Sequence, residues 1–336
     1  MSSEIRKAIR ASDAARAAGR PANPEGDCPE QLAPLLLGQG LPVYSLARAF
    51  QEQYRLYATV LGSAQDPVCS GSRLCACLDW DEGDPLAQVR RFADLAEGMP
   101  VLVVPAEDSA ARRLAAGRDS LPPEVLVCAP TAEALARRDD PAALADACTQ
   151  AGLTLGGGEP THCILGYSSR ERRVRLLCCA QLLLRAGNTA LVAHAVFLDE
   201  VTARVARLMD ALGWTGFFLV RLALGDEGEP RLIDLEAAPG DLSHMLTAMG
   251  QSPAWWAVED LYYRHELPYT VTSGHCLWRV ISHGACKKRL DRQGMAIVRG
   301  MLGFGAVCNP FYTPGDGGPG RRLALRRVWK ALDTLE

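Results

Sequence analysis

Several groups of side chains in this sequence are of types that perform chemistry. Ser243-His244 couples a nucleophile to a base, but neighbours on a strand point apart and no third acid orients the histidine. As catalytic candidates the two rank below their simpler reading, the lining of a small-molecule pocket. His275, Cys276, His283 and Cys286 offer the imidazole and thiolate donors that zinc favours. Adjacent residues seldom bind one ion, so half-buried structural side chains explain them more simply. Cys69, Cys75 and Cys77 are read alike, as small apolar residues of strands before metal thiolates. Gly156-Gly157-Gly158 could cradle a phosphate, yet neither a Lys-Ser/Thr pair nor a helix start follows, and the run reads as the joint left by a deletion. Lys287, Lys288, Arg289 and Arg292, with Arg321, Arg322, Arg326 and Arg327, could gather an anion, but a solvated face of terminal helices accounts for them. Trp255-Trp256 and Tyr262-Tyr263 read as packing, or equally as an aromatic patch for a partner.

The elements that must position these residues fall into two kinds. Short apolar runs at 35–37, 58–61, 74–78, 100–105 and 125–128 alternate with helical spacing at 46–50, 85–96 and 110–116. That alternation predicts a parallel sheet covered by helices. A helix over 141–150 follows, stopped by Gly152. Beyond the glycine run the strands lengthen, at 162–167 and 173–179, which suits an antiparallel sheet. Val201, Val205, Leu208, Met209 and Leu212 form one stripe of a helix over 199–212, facing a core. Strands over 217–224 and 230–235 flank Gly225-Asp226-Glu227-Gly228-Glu229, a hairpin signal.

Length and composition exclude several classes. A chain of 336 residues has room for two or three domains. Hydrophobic residues at 48% and charged residues at 22% describe a globular protein rather than a disordered or fibrous one. A net charge of −3, with both signs dispersed, argues against nucleic acid as a partner. The twelve cysteines, including the adjacent Cys178-Cys179, suit a reducing compartment. No apolar run approaches the roughly 20 residues of a membrane span. No secretory h-region stands in the first 26 residues, and the expected location is the cytoplasm.

The segment Gly213-Trp214-Thr215-Gly216-Phe217-Phe218-Leu219-Val220-Arg221-Leu222, its turn, and Arg231-Leu232-Ile233-Asp234-Leu235-Glu236-Ala237-Ala238-Pro239 resemble the last motif block of ATP-grasp enzymes. There, one strand carries an acid and the next ends in Glu-x-Asn, so that hard oxygens hold the magnesium of ATP. Leu46-Ala47-Arg48-Ala49-Phe50-Gln51-Glu52-Gln53-Tyr54, Val103-Val104-Pro105-Ala106-Glu107-Asp108, Arg118-Asp119-Ser120-Leu121 and Gly187-Asn188 extend the resemblance. With them it covers residues 32–268 and narrows to carboxylate–amine ligases of the D-aspartate ligase type, in a shortened and degenerate form.

Departures from that family carry as much information as the matches. Glu236 stands at the first metal acid, but the expected Asn is Ala238, the expected Arg is Gly240, and the acid of the preceding strand is Arg221. Asp234 or Asp226 could compensate, although Asp234 is read as out of phase on its strand. The family brings two lysines to the ATP phosphates. Here the lysines are Lys7, Lys287, Lys288 and Lys330, and arginine is an imperfect replacement. The family's lid is replaced by the glycine run.

These features imply an α/β chain in five parts. A polar extension over 1–28 precedes a pre-ATP-grasp α/β domain over 29–130, and a helix with a linker covers 131–158. A mainly antiparallel ATP-grasp lobe over 159–268 and a helical or irregular extension over 269–336 complete it. The expected function is that of a pseudo-ligase, a non-catalytic partner in biosynthesis or a binder of a small carboxylate or amino acid. An active ATP-dependent carboxylate–amine ligase is the alternative. Site candidates are Arg221, Glu236, Ser243 and His244 for chemistry, and Asn188, Asp234 and Glu236 for a cofactor. Glu236 is the one doubtful metal ligand. No cofactor is expected under the first reading, and ATP with Mg2+ under the second. A homodimer or a biosynthetic protein is the expected partner.

Overall fold

The computed structural model describes residues 31–80, 85–225, 228–272, 274–303 and 307–311, with Pro29, Asp316 and Pro319. Its first sheet consists of β1 (Ala33–Leu37), β2 (Ala58–Gly62), β3 (Cys75–Asp79), β4 (Val101–Pro105) and β5 (Val125–Val127). All pairings are parallel and the order is β3-β2-β1-β4-β5. Leu35, Leu37, Val101 and Val103 point to one face, beneath Val89 and Phe92 of α2 (Pro85–Leu95) and Leu114 of α3 (Asp108–Gly117). Leu36, Val60 and Leu102 point to the other, beneath Tyr44, Leu46 and Phe50 of α1 (Gly40–Tyr54). Strands buried on both faces must be continuously apolar, which is why β1 and β4 are apolar along their whole length.

The connection to the second sheet is short. Helix α4 (Ala132–Asp139) starts on Thr131, whose side chain accepts from the Ala134 amide. Helix α5 (Pro141–Ala151) starts on Asp140 and ends on Gly152 in the left-handed conformation. Only the two-residue strand β6 (Thr154–Leu155) and the glycine run then separate α5 from the next long strand. No lid subdomain stands among these described residues.

The second sheet is built on β7 (His162–Ser168), β8 (Val174–Ala186), β9 (Thr189–Val196), β10 (Gly216–Leu224) and β11 (Pro230–Glu236). These pair antiparallel in the order β9-β8-β7-β10-β11. Helix α6 (Asp199–Leu212) covers one face, setting its stripe against Leu177, Phe218 and Val220. The opposite face meets α7 (Ser243–Ala248) and α8 (Pro253–Leu261), where Met245 and Trp256 pack near Tyr167 and Phe217. Short strands β12 (Thr270–Thr272), β13 (Leu277–Arg279) and β14 (Val307–Cys308), with α9 (His283–Arg289) and α10 (Arg292–Gly303), complete this part. That opposite face is thus buried by the chain's own helices. The same apolar cluster reaches Phe50 and Val60, joining the two sheets.

Candidate functional site

Strands β10 and β11 pair so that Arg221 lies opposite Asp234 and Leu219 opposite Glu236. Residues two apart on a strand share a face, and Arg221, Asp234 and Glu236 therefore converge. The sequence reading of Asp234 as out of phase is corrected here; the register shift falls just beyond the pair, between Arg221 and Leu222. Arg221 Nη1 donates to Asp234 Oδ2 at 2.7 Å and also to Glu236 Oε1. Its Nη2 reaches the Asn188 carbonyl at 3.4 Å. The Arg221 side chain is 6% exposed, against 40% and 26% for the two acids, so a buried guanidinium bridges carboxylates that face a cleft. Burial, the largest influence, lowers the arginine's affinity for its proton, but the bond to Glu236 and the charges of Glu236 and Asp234 together raise it overall.

A third carboxylate joins the group from the loop after β11. Gly240 adopts φ +63°, and a Cβ there would meet Leu219 at 2.6 Å. Only glycine makes this turn without displacing its neighbour. Asp241 follows, and burial, then repulsion from Glu236, pushes its carboxyl up to about 6. The β8–β9 turn comes close from the other side, through Asn188 to Arg221 and Thr189 to Asp241. Asn188 therefore takes part through its backbone.

On the outer side of β11 lies an open cleft of about 440 Å³, lined by Asp108, Arg112, Arg138, Asp139, Asp234 and Glu236 among others. Arg138 donates to Asp108 and to the Leu235 carbonyl, and Asp108 accepts from the Ala237 amide at 2.8 Å. Burial would raise the Asp108 carboxyl. The bonds from Arg138, the Ala237 amide and Arg112 overcome it and hold the acid below the usual carboxylate range. Sequence reasoning missed Arg138 and Asp241 because no short motif marks them.

The remaining candidates separate. Ser243 and His244 open α7, both buried, with Ser243 Oγ and His244 Nδ1 lacking a hydrogen-bond partner among the described residues. Burial pushes the His244 imidazole down to about 3, so it stays neutral. His275, Cys276, His283 and Cys286 are not gathered around a point. Among the described residues only Cys69, Cys75 and Cys77 form a group of three or more potential metal donors. Trp255 and Trp256 pack edge to face at 5.0 Å, as do Tyr262 and Tyr263 at 4.9 Å. Lys287 and Lys288 lie on α9, while Asp226, Lys7, Lys330 and the arginines beyond 320 lie outside the described residues.

No protein-family model matches the sequence, and no curated protein does. Solved structures do. A biotin carboxylase of Campylobacter jejuni aligns with TM-score 0.52 and 11% identity, over 70% of this chain and 72% of that one. The carboxyaminoimidazole synthetase of Staphylococcus aureus gives 0.51 and 10%, over 71% and 79%. Pyruvate carboxylase of Rhizobium etli gives 0.54 and 12%, over 74% of this chain but 28% of that one.

This company corrects the expectation that no cofactor belongs here. Among these neighbours, the Campylobacter jejuni structure is a beta-gamma-ATP complex. Tested against the residues, the two groups differ. The cleft has the volume of a small-ligand site and arginines on its wall. Magnesium does not fit this side-chain arrangement, because the oxygens it would take are those that Arg221 holds. By fold, the chain is similar to the biotin carboxylases and to carboxyaminoimidazole synthetase.

Proposed function

We propose that this chain is a pseudo-ligase, in which ATP and a small carboxylate or amino acid are held as ligands beside a biosynthetic partner. The observation that carries this reading is the Arg221 guanidinium bridging Asp234 and Glu236, where a ligase needs a dication. An arginine there supplies positive charge in one fixed place and cannot follow a phosphoryl group as a solvated ion does. The likeness to carboxylases supports a ligase-like fold and a nucleotide as ligand. Thermal shift with ATP, in EDTA and in Mg2+, is the test. ATP should raise Tm in both, with no ADP released in the presence of candidate carboxylates and amines.

A second reading is an active ATP-dependent carboxylate–amine ligase. It is favoured by Asp241, a further carboxylate near enough to Glu236 to feel its charge. If Arg221 swung aside, Asp234 and Glu236 would offer hard oxygen donors to the cleft they line. Mg2+-dependent ADP release that disappears in Glu236→Gln would establish this reading and remove the first.

A further inference from the structure

The loop between β2 and β3 brings three thiols together. Cys69 lies on the loop, and Cys75 and Cys77 lie two apart on β3 and so share a strand face. Their sulfur atoms all lie within 4.8 Å of one another, with Cys69 and Cys75 buried and Cys77 half-buried. Thiolates around one tetrahedral zinc stand roughly 3.8 Å apart, given Zn–S bonds of about 2.3 Å. Each sulfur is therefore within a fraction of an ångström of a binding position.

The scaffold beneath them is fixed before any ion arrives. Asp66 accepts from the amides of Val68 at 2.7 Å and Cys69 at 3.0 Å, and its other oxygen accepts from the Gly40 amide. Ser72 donates to Asp316 at 2.6 Å and accepts from the Leu74 amide at 2.9 Å, and the Arg73 amide donates to Asp316 at 3.2 Å. Residues 66–74 are thus tied at both ends, and Cys69 is held over β3. Asp66 has spent both oxygens on backbone amides and is not a fourth ligand.

We propose that Cys69, Cys75 and Cys77 bind one zinc ion, with the fourth position open on the Cys77 side. Three soft donors select Zn2+ or Cu(I) over magnesium or calcium. Between these, three thiolates leave a net −1 around Zn2+ but −2 around Cu(I). A site whose inner thiols are buried favours the smaller residual charge. The inference does not depend on what the ATP-grasp cleft binds.

The test uses the full chain, purified under reducing conditions, with metals measured by mass spectrometry. One zinc per chain is expected. Cys69→Ser, Cys75→Ser and Cys77→Ser should each lower it at least tenfold, while Cys148→Ser, a buried thiol on α5, should leave it unchanged. Co2+ in place of zinc should give thiolate-to-metal charge-transfer and tetrahedral d–d bands. If the variants fail to fold, alkylation of the wild type decides: the three thiols should be protected until a chelator is added. Absence of zinc and of the cobalt bands, stoichiometric copper instead, or a disulfide between any two of the three would overturn the proposal.

Discussion

Replacing Glu236 by glutamine removes one of the two carboxylates that share Arg221, so the guanidinium keeps Asp234 and a carbonyl. An uncompensated buried charge costs roughly 3–5 kcal/mol. Because Asp234 remains, the expected loss in chemical denaturation is about 1–3 kcal/mol. Arg221→Met should cost more, since it leaves Asp234, Glu236 and Asp241 facing one another. Its melting temperature should rise with Mg2+ by more than that of the wild type, because the two oxygens are then free. Asp241 gives a pH signature. Its folded value of about 6 lies above the ordinary value near 4, so the folded state keeps a proton that the unfolded chain releases. That contribution is fully present below about pH 4 and is lost as pH rises through about 6. Asp241→Asn should therefore match the wild type at about pH 4 and exceed its stability by about 1–3 kcal/mol above pH 7, as urea titrations at both values would show.

Between elements, a buried acid ties α8 to the second sheet. Asp260, 1% exposed, accepts from Tyr167 Oη and the Arg170 amide, both at 2.8 Å, and pairs with the Arg170 side chain. Asp260→Ala leaves Tyr167 Oη and the Arg170 amide unmatched while the guanidinium keeps the carbonyls of Arg264 and His265, and a loss of about 2–4 kcal/mol is expected in a guanidinium titration. Such ties were invisible in the sequence, because nothing local links residue 260 to 167. The regular elements were legible for a local reason. Continuous apolar runs marked β1 and β4, and the stripe from Val201 to Leu212 marked α6 along its full length. The Arg221–Glu236 contact was legible too, since a hairpin fixes which residues lie opposite. Asp234 was misread although the signal was local, since it stands two residues before Glu236 on the same strand and so shares its face. Helix α4 and the extension of β8 to Ala186 depend on tertiary packing and left no periodic signal strong enough to read.

At the scale of the whole molecule, one apolar cluster runs from Leu36 and Phe50 to Tyr167 and Trp256. Asp108 and Arg138 reinforce it by joining the start of α3 to the end of β11. The two sheets should therefore unfold together, in a single calorimetric transition whose van't Hoff and calorimetric enthalpies agree. Two separated transitions would show that the shared core does not couple them. Among the described residues no helix is long and apolar enough to cross a membrane. The Gly156–Gly158 joint leads in another direction. A Cβ at Gly157 or Gly158 would touch nothing within 4 Å, and Gly158 has φ +111°. Spliced sequence at this point meets open space, and closing a longer loop costs only about 0.6 kcal/mol for each doubling of its length. The joint is thus a socket: a folded module, a transplanted lid or a fluorescent reporter, can be inserted between Gly157 and Gly158 while both sheets remain as they are.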